Sequence, residues 1–268
     1  MALAFDQQAA YILHRRPYRE TSFILDAYTL YHGRVSILAK GATRGKYNFS
    51  ALLQMFQPLL LSWSGRSNLK TLTDVEAPSA AFTFISEQLY CAFYLNELVL
   101  KLTPEAEADP VLFSAYADAL QGLKDKQGVE IVLRTFELAL LKSIGLAPEF
   151  LYDTASREIQ ANLLYMLNPE QGFSLIKNGN IQRERWDSLK GLKPVFDGAS
   201  LLSIGNKNLI ELTEKSGSAN EQKMVLREAK QIMRILITYA LQGQELKSRA
   251  LFCQFKQLKQ PKKGPESD

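Results

Sequence analysis

The chain has 268 residues, 46% apolar and 22% charged, the composition of a folded protein with one large or two ordinary domains; it excludes a disordered chain. Its only two cysteines, Cys91 and Cys253, exclude a disulfide framework and point to a reducing compartment. Net charge is only +4, yet residues 15–70 carry nine cations against two acids, 97–158 eleven acids against six cations, and 246–263 six cations and no acid. Basic blocks of this kind predict either an anionic partner or, more simply, a solvated basic surface.

The first 77 residues read as strands. Tyr11 to Arg16 alternates up to Pro17, and Ser22 to Tyr28 is β-branched and aromatic. Tyr31-His32-Gly33 supplies a turn, Val35 to Lys40 a third strand, and Gln57 to Ser64 and Leu69 to Val75 a fourth and fifth, joined by Gly65-Arg66-Ser67-Asn68. Five short strands in this span predict a small barrel, with the five-stranded OB-fold as the candidate.

Beyond Ala77-Pro78 the pattern is helical. Helices are expected from Ser86 to Leu102, from Asp109-Pro110 to about Leu123, and from Val129 to Ile144, the last apolar on most sides and stopped by Gly145. Gly172 to Gln182 reads as a hairpin around Asn178-Gly179. Ser218-x-x-Glu221 is a capping box opening a long helix to about Leu241, and Ser248 is a candidate cap for a short final one. The expected organisation is α+β: an OB-fold nucleic-acid-binding domain over 1–78, a mainly α-helical domain over 79–256 with a small hairpin near 172–182, and a disordered basic tail over 257–268.

Catalytic chemistry has little to stand on. The only histidines, His14 and His32, read as surface strand residues, and no zinc-ligand spacing exists. Gly41-Ala42-Thr43-Arg44-Gly45-Lys46-Tyr47 fails the phosphate-loop pattern, since its glycines are too close and tyrosine replaces the magnesium-binding hydroxyl. No cofactor, no metal site and no catalytic residue is expected. No apolar run approaches the roughly 18 residues of a membrane span, and no basic n-region opens the chain, so a cytoplasmic protein without a membrane partner is the expectation.

Binding chemistry is better supplied. Alternation places Val35, Ile37 and Ala39 on one face of the third strand and Arg34, Ser36, Leu38 and Lys40 on the other. Arg44 and Lys46 follow in a loop, with Tyr47 and Phe49 beyond them as either core rings or stacking platforms. Cations with nearby aromatics suit single-stranded nucleic acid. Arg34, Lys40, Arg44 and Lys46 are therefore candidate phosphate contacts, with Arg15, Arg16, Arg66 and Lys70 as lesser ones.

The stretches Tyr11-Ile12-Leu13-His14-Arg15-Arg16-Pro17-Tyr18-Arg19-Glu20-Thr21-Ser22, Gly33-Arg34-Val35 and Ala39-Lys40-Gly41-Ala42 resemble the N-terminal signature of RecO, the bacterial recombination mediator family. Phe56-Gln57-Pro58-Leu59, Leu69-Lys70-Thr71-Leu72, Tyr94-Leu95-Asn96-Glu97-Leu98, Arg134-Thr135-Phe136-Glu137-Leu138-Ala139-Leu140-Leu141 and Leu246-Lys247-Ser248-Arg249-Ala250-Leu251-Phe252 extend the resemblance over nearly the whole chain. It implies an N-terminal OB-fold and a C-terminal helical domain, binding of single- and double-stranded DNA, and annealing of complementary strands. It also implies partnership with RecR and with the acidic tail of single-stranded DNA-binding protein, so that RecA loads onto coated DNA. None of this is enzymatic turnover.

The chain departs from its resemblance twice. It lacks the four-cysteine zinc site that many relatives carry, so the region 150–182 must hold itself by packing and by the hairpin. Thr43 also stands before Arg44 where relatives often have arginine directly after Lys-Gly-Ala. For the partner tail the candidates are Arg134 and Leu138; Arg134 either emerges beside an apolar groove or pairs with Glu130 or Glu137 on its own helix. The alternative to a DNA mediator is a non-catalytic adaptor whose OB-fold binds protein.

Overall fold

The computed structural model describes residues 4–43, 49–176, 194–206 and 219–259. The chain divides into two compact units: residues 1–114 with 123–125 and 245–268, and residues 115–122 with 126–244.

The first unit is built on five strands, β1 (Ala4–Tyr18), β2 (Ser22–Thr29), β3 (Gly33–Ala39), β4 (Leu59–Ser64) and β5 (Leu69–Glu76). They close into a barrel in the order β1-β2-β3-β5-β4, with β3 and β5 parallel and every other pair antiparallel. This is the expected OB-fold, and closure removes the exposed sheet edges that would otherwise template aggregation. Alternation fills the interior with Ile12, Leu25, Ala27, Ile37, Ala39, Leu59, Leu61 and Trp63. A 3-10 turn, Phe49–Ala51, follows β3, and Phe49 packs on this core.

β1 is far longer than its alternating segment. Gln7 has φ +45°, and the register with β4 shifts between Phe5 and Gln8. That bulge breaks the period of two which reveals a strand in sequence. Two turns use glycine where the chain needs positive φ. Gly41 ends β3 at φ +61°, and Gly33 opens it at the same φ with the Glu107 carbonyl packed so close that a Cβ would overlap it. His32 lies in this turn rather than in a strand. It is wedged edge-on to Phe5 (4.6 Å) and Trp63 (5.6 Å), and burial lowers its pKa.

Helix α1 (Glu87–Leu102) buries Cys91, Ala92, Leu95, Leu98 and Val99 at helical spacing. Within this unit Asn96 Nδ2 donates to the Leu13 carbonyl (2.9 Å), and Phe113 covers Tyr11 and Tyr28 on the outside of the barrel. The final helix (Lys247–Lys259) also belongs here, with Tyr90 of α1 against Phe255 at 4.7 Å. It runs into the segment from 257 that the sequence reading gives to a tail; 260–268 lie outside the described residues.

Helix α2 (Pro110–Lys124) starts as expected: the Asp109 carboxylate accepts from Leu112 N (2.9 Å), and proline occupies the first turn. In the second unit α3 (Val129–Ser143) ends in a Schellman motif. Gly145 sits at φ +71°, Leu146 N donates to Leu141 O (2.8 Å) and Gly145 N to Lys142 O (3.1 Å). A three-stranded sheet follows, β6 (Leu164–Asn168), β7 (Gly172–Leu175) and β8 (Val195–Asp197), in the order β7-β6-β8. The hairpin is thus β6–β7, turning at 169–171; residues 172–175 pair backward, and Asn178-Gly179 lies outside the described residues.

Helix α4 (Gly198–Asn206) and the long α5 (Ala219–Ala240) complete this unit, and α3 and α4 both pack on α5. Ser218, the first residue of the expected capping box, is outside the described residues. The final helix is α6. Asp153 gathers the loop before the three-stranded sheet: Oδ1 accepts from Ala155 N and Arg157 N, and Oδ2 from Arg157 Nε and Nη2. Among the described residues no group of His, Cys, Asp and Glu could hold a metal ion, and no helix is long and apolar enough to cross a membrane.

Candidate nucleic-acid interface

Strand register decides which cations meet. On the outside of the barrel His14, Asp26 and Ser36 form one rank across β1, β2 and β3, and Arg16, Ile24 and Leu38 form the next. Tyr18 and Ser22 pair in the rank beyond, where alternation also carries Lys40. Arg16 and Lys40 are exposed, while Ile24 and Leu38 lie half-buried between them. Strands lie about 4.8 Å apart, so the two cations flank a narrow apolar floor.

Arg19 joins this corner at the β1–β2 turn. Its φ is +53°, and its guanidinium lies 5.3 Å over the exposed Tyr18 ring. On the other side of the corner Ser22 Oγ accepts from Gly41 N (3.2 Å) and Thr21 O from Thr43 N (3.2 Å), so the loop after β3 is tied to the β1–β2 turn. Tyr18 and Arg19 are the residues that counting alternation along single strands misses; Pro17, which ends the alternating run, marks where they begin.

Other candidates are placed differently. Arg34 turns to the end of α1, where Nε and Nη2 both donate to the Thr103 carbonyl at 2.9 and 2.8 Å, while its own carbonyl accepts from Ala106 N. A helix C-terminus attracts a cation, and this one is held there by two charge-assisted bonds. Arg15 lies over Phe23 (4.7 Å) and donates to the carbonyls of Ser50 and Leu53. Both arginines bind the chain's own backbone. Arg66 is exposed in the β4–β5 turn, and Lys70 is half-buried on β5, with Nζ 3.4 Å from the Gly65 carbonyl. Arg44, Lys46 and Tyr47 lie outside the described residues.

In the second unit Arg134 is 7% exposed. Its Nη2 lies 2.7 Å from Glu137 Oε1, while its Nε is buried with no hydrogen-bond partner among the described residues. Of the two expected arrangements the intrahelical pair is the one formed, but it is enclosed instead of lying on the surface. Leu138 is half-buried beside it in sequence.

A closed barrel of this strand order defines an OB-fold protein. Comparison with known proteins narrows the class. Residues 1–80 match the family model described as Recombination protein O N terminal, and residues 86–186 the one described as Recombination protein O C terminal. Curated relatives named DNA repair protein RecO include those of Marinobacter nauticus, 38% identical over 93% of this chain and 94% of the relative, and Methylococcus capsulatus, 37% identical over 91% of each. That of Aliivibrio salmonicida is 37% identical over 91% of this chain and 94% of the relative. The chain belongs to the RecO family of DNA repair and recombination proteins, which are mediators and not enzymes.

Proposed function

We propose that this protein binds single- and double-stranded DNA on the barrel, anneals complementary strands, and with RecR helps RecA load onto DNA coated by single-stranded DNA-binding protein. Its setting is the cytoplasm, on the nucleoid when DNA is bound. Family membership supports the pathway, and one observation supports the barrel face: exposed Arg16 and Lys40 flank Ile24 and Leu38, with Arg19 stacked on Tyr18 in the same corner. Phosphates suit the cations, and bases suit an aromatic or apolar floor. Annealing requires screening of phosphate repulsion between two strands, which fixed cations provide without bond chemistry.

The coat protein's acidic tail is the second proposed ligand. Arg134 is enclosed with Glu137, so a tail carboxylate would have to displace that pair to reach it. The reading is tested by salt titration of oligonucleotide binding, followed by annealing of complementary strands with and without the coat protein. A steep fall in affinity with salt and faster annealing support it. Salt-independent or absent DNA binding, with RecR still bound, would favour the protein adaptor.

A further inference from the structure

The barrel is not the only basic face. Helix α5 carries Lys223, Arg227, Lys230 and Arg234 at steps of four, three and four residues, one stripe along the helix. All four are exposed. On the helical rise they recur every 4.5–6 Å or so. α5 has only two acids: Glu221 in its first turn, and Glu228, which is buried and turned to Asp197 N (3.2 Å). Among the described residues one acid pairs with the stripe, Glu130 of α3, at 2.7 Å from Lys230.

Along this stripe runs an open groove of about 630 Å³, lined by Arg227, Lys230, Gln231, Arg234, Ile235 and Thr238. Ile235 is half-buried and forms an apolar floor with the aliphatic stems of the cations.

We infer that this groove holds the phosphate backbone of a nucleic-acid strand, a second polyanion site on a compact unit other than the barrel's. The inference rests on the proposed annealing function, which requires two strands on one protein. An acidic peptide is the rival occupant. A peptide anchored by an apolar side chain needs an enclosing pocket, whereas the cations that line this groove form a line along one helix. A line of closely repeating cations matches a chain that carries one charge per unit.

The test uses the full chain with Arg227→Gln and Arg234→Gln together, which leaves the Lys230–Glu130 pair intact, beside a barrel variant with Arg16→Gln and Lys40→Gln. Three measurements are made on each folded protein: the salt dependence of binding to labelled oligothymidylate, strands bound per chain at saturation, and annealing rate of two complementary oligonucleotides. The expected result for the α5 variant is annealing slowed at least tenfold, one strand per chain where wild type holds two, and a salt slope smaller in magnitude by about 1.4, or 0.7 per lost phosphate contact.

If wild type anneals and the α5 variant matches it in rate and stoichiometry, the groove is no strand site while the mediator reading stands. If the variant loses only affinity for an acidic peptide, the groove belongs to a protein partner and the inference is overturned. If wild type neither binds nor anneals DNA, both readings fail together.

Discussion

Glu97 of α1 caps the helix that begins 150 residues later. Its Oε1 accepts from Lys247 N (2.9 Å), and its Oε2 from Ser248 N (2.9 Å) and Ser248 Oγ (2.6 Å). A helix start leaves backbone N–H groups without partners, and here a carboxylate from another element supplies the acceptors. Burial alone would raise the Glu97 pKa, but the Ser248 hydroxyl, the two backbone amides and Lys101 outweigh it and hold the carboxyl below its ordinary value.

That depression fixes a sign. A carboxyl whose folded pKa is lowered contributes stability above its ordinary pKa and loses it as pH falls through the folded value. Glu97→Gln should cost about 1–2 kcal/mol at neutral pH, the scale of a lost helix cap. The gap between variant and wild type should close at acid pH. Urea unfolding across the acid range checks this; a gap that stays constant with pH would refute the ionic cap.

Arg34 and the Arg16–Lys40 pair should separate into two phenotypes. Arg34→Ala removes two charge-assisted bonds to Thr103 O and should lower stability by about 1.5–3 kcal/mol, while leaving the salt slope of DNA binding unchanged. Arg16→Ala with Lys40→Ala should leave the melting temperature nearly unchanged and reduce the slope magnitude by about 1.4 on single strands. Melting curves and salt titrations on the same preparations decide it; a flattened slope in Arg34→Ala would return that residue to the DNA surface.

Gly33→Ala should be among the costlier substitutions in the barrel. It forces a side chain into positive φ, a strain of about 1–3 kcal/mol, and its Cβ would overlap the Glu107 carbonyl. Gly41→Ala shares the φ but meets nothing within 4 Å, so it carries the strain alone. Comparing the two by chemical denaturation separates conformation from contact, and equal losses would show that the 107 loop yields without cost.

Arg134→Ala should cost about 3–5 kcal/mol, because it leaves the Glu137 carboxylate buried without its guanidinium. Joint replacement, Arg134→Met with Glu137→Leu, should recover most of the loss. If instead Arg134→Ala folds as stably as wild type and loses only affinity for an acidic tail peptide, Arg134 serves the partner and not the core.

The barrel was legible because β2 is β-branched and aromatic, β3 alternates and Gly65-Arg66-Ser67-Asn68 separates β4 from β5, and the helices because Asp109-Pro110 and Gly145 punctuate them. What escaped the sequence has physical causes. Of β1 only the part from Tyr11 was legible, because the bulge at Gln7 breaks the period of two along the strand that precedes it. The β6–β7 turn carries its own signal, Asn168-Pro169, whose Asn168 Oδ1 accepts from Glu170 N and Gln171 N. At the candidate site the local pattern assigns cations to strands but not the groups that they meet. The bond from Arg34 to Thr103 spans 69 positions, and no local pattern announces such a partner.

The bridge between Glu97 and Ser248 also sets an order of events at the ribosome. Domains generally fold as units while the chain emerges, yet here α1 is made long before the helix it caps. The barrel unit therefore waits, with Tyr90 and the Glu97 carboxylate uncovered, until the second unit has been synthesised and α6 returns. A message truncated before residue 245 yields a chain whose first unit stays unfinished, with an apolar seam open to quality-control proteases and chaperones.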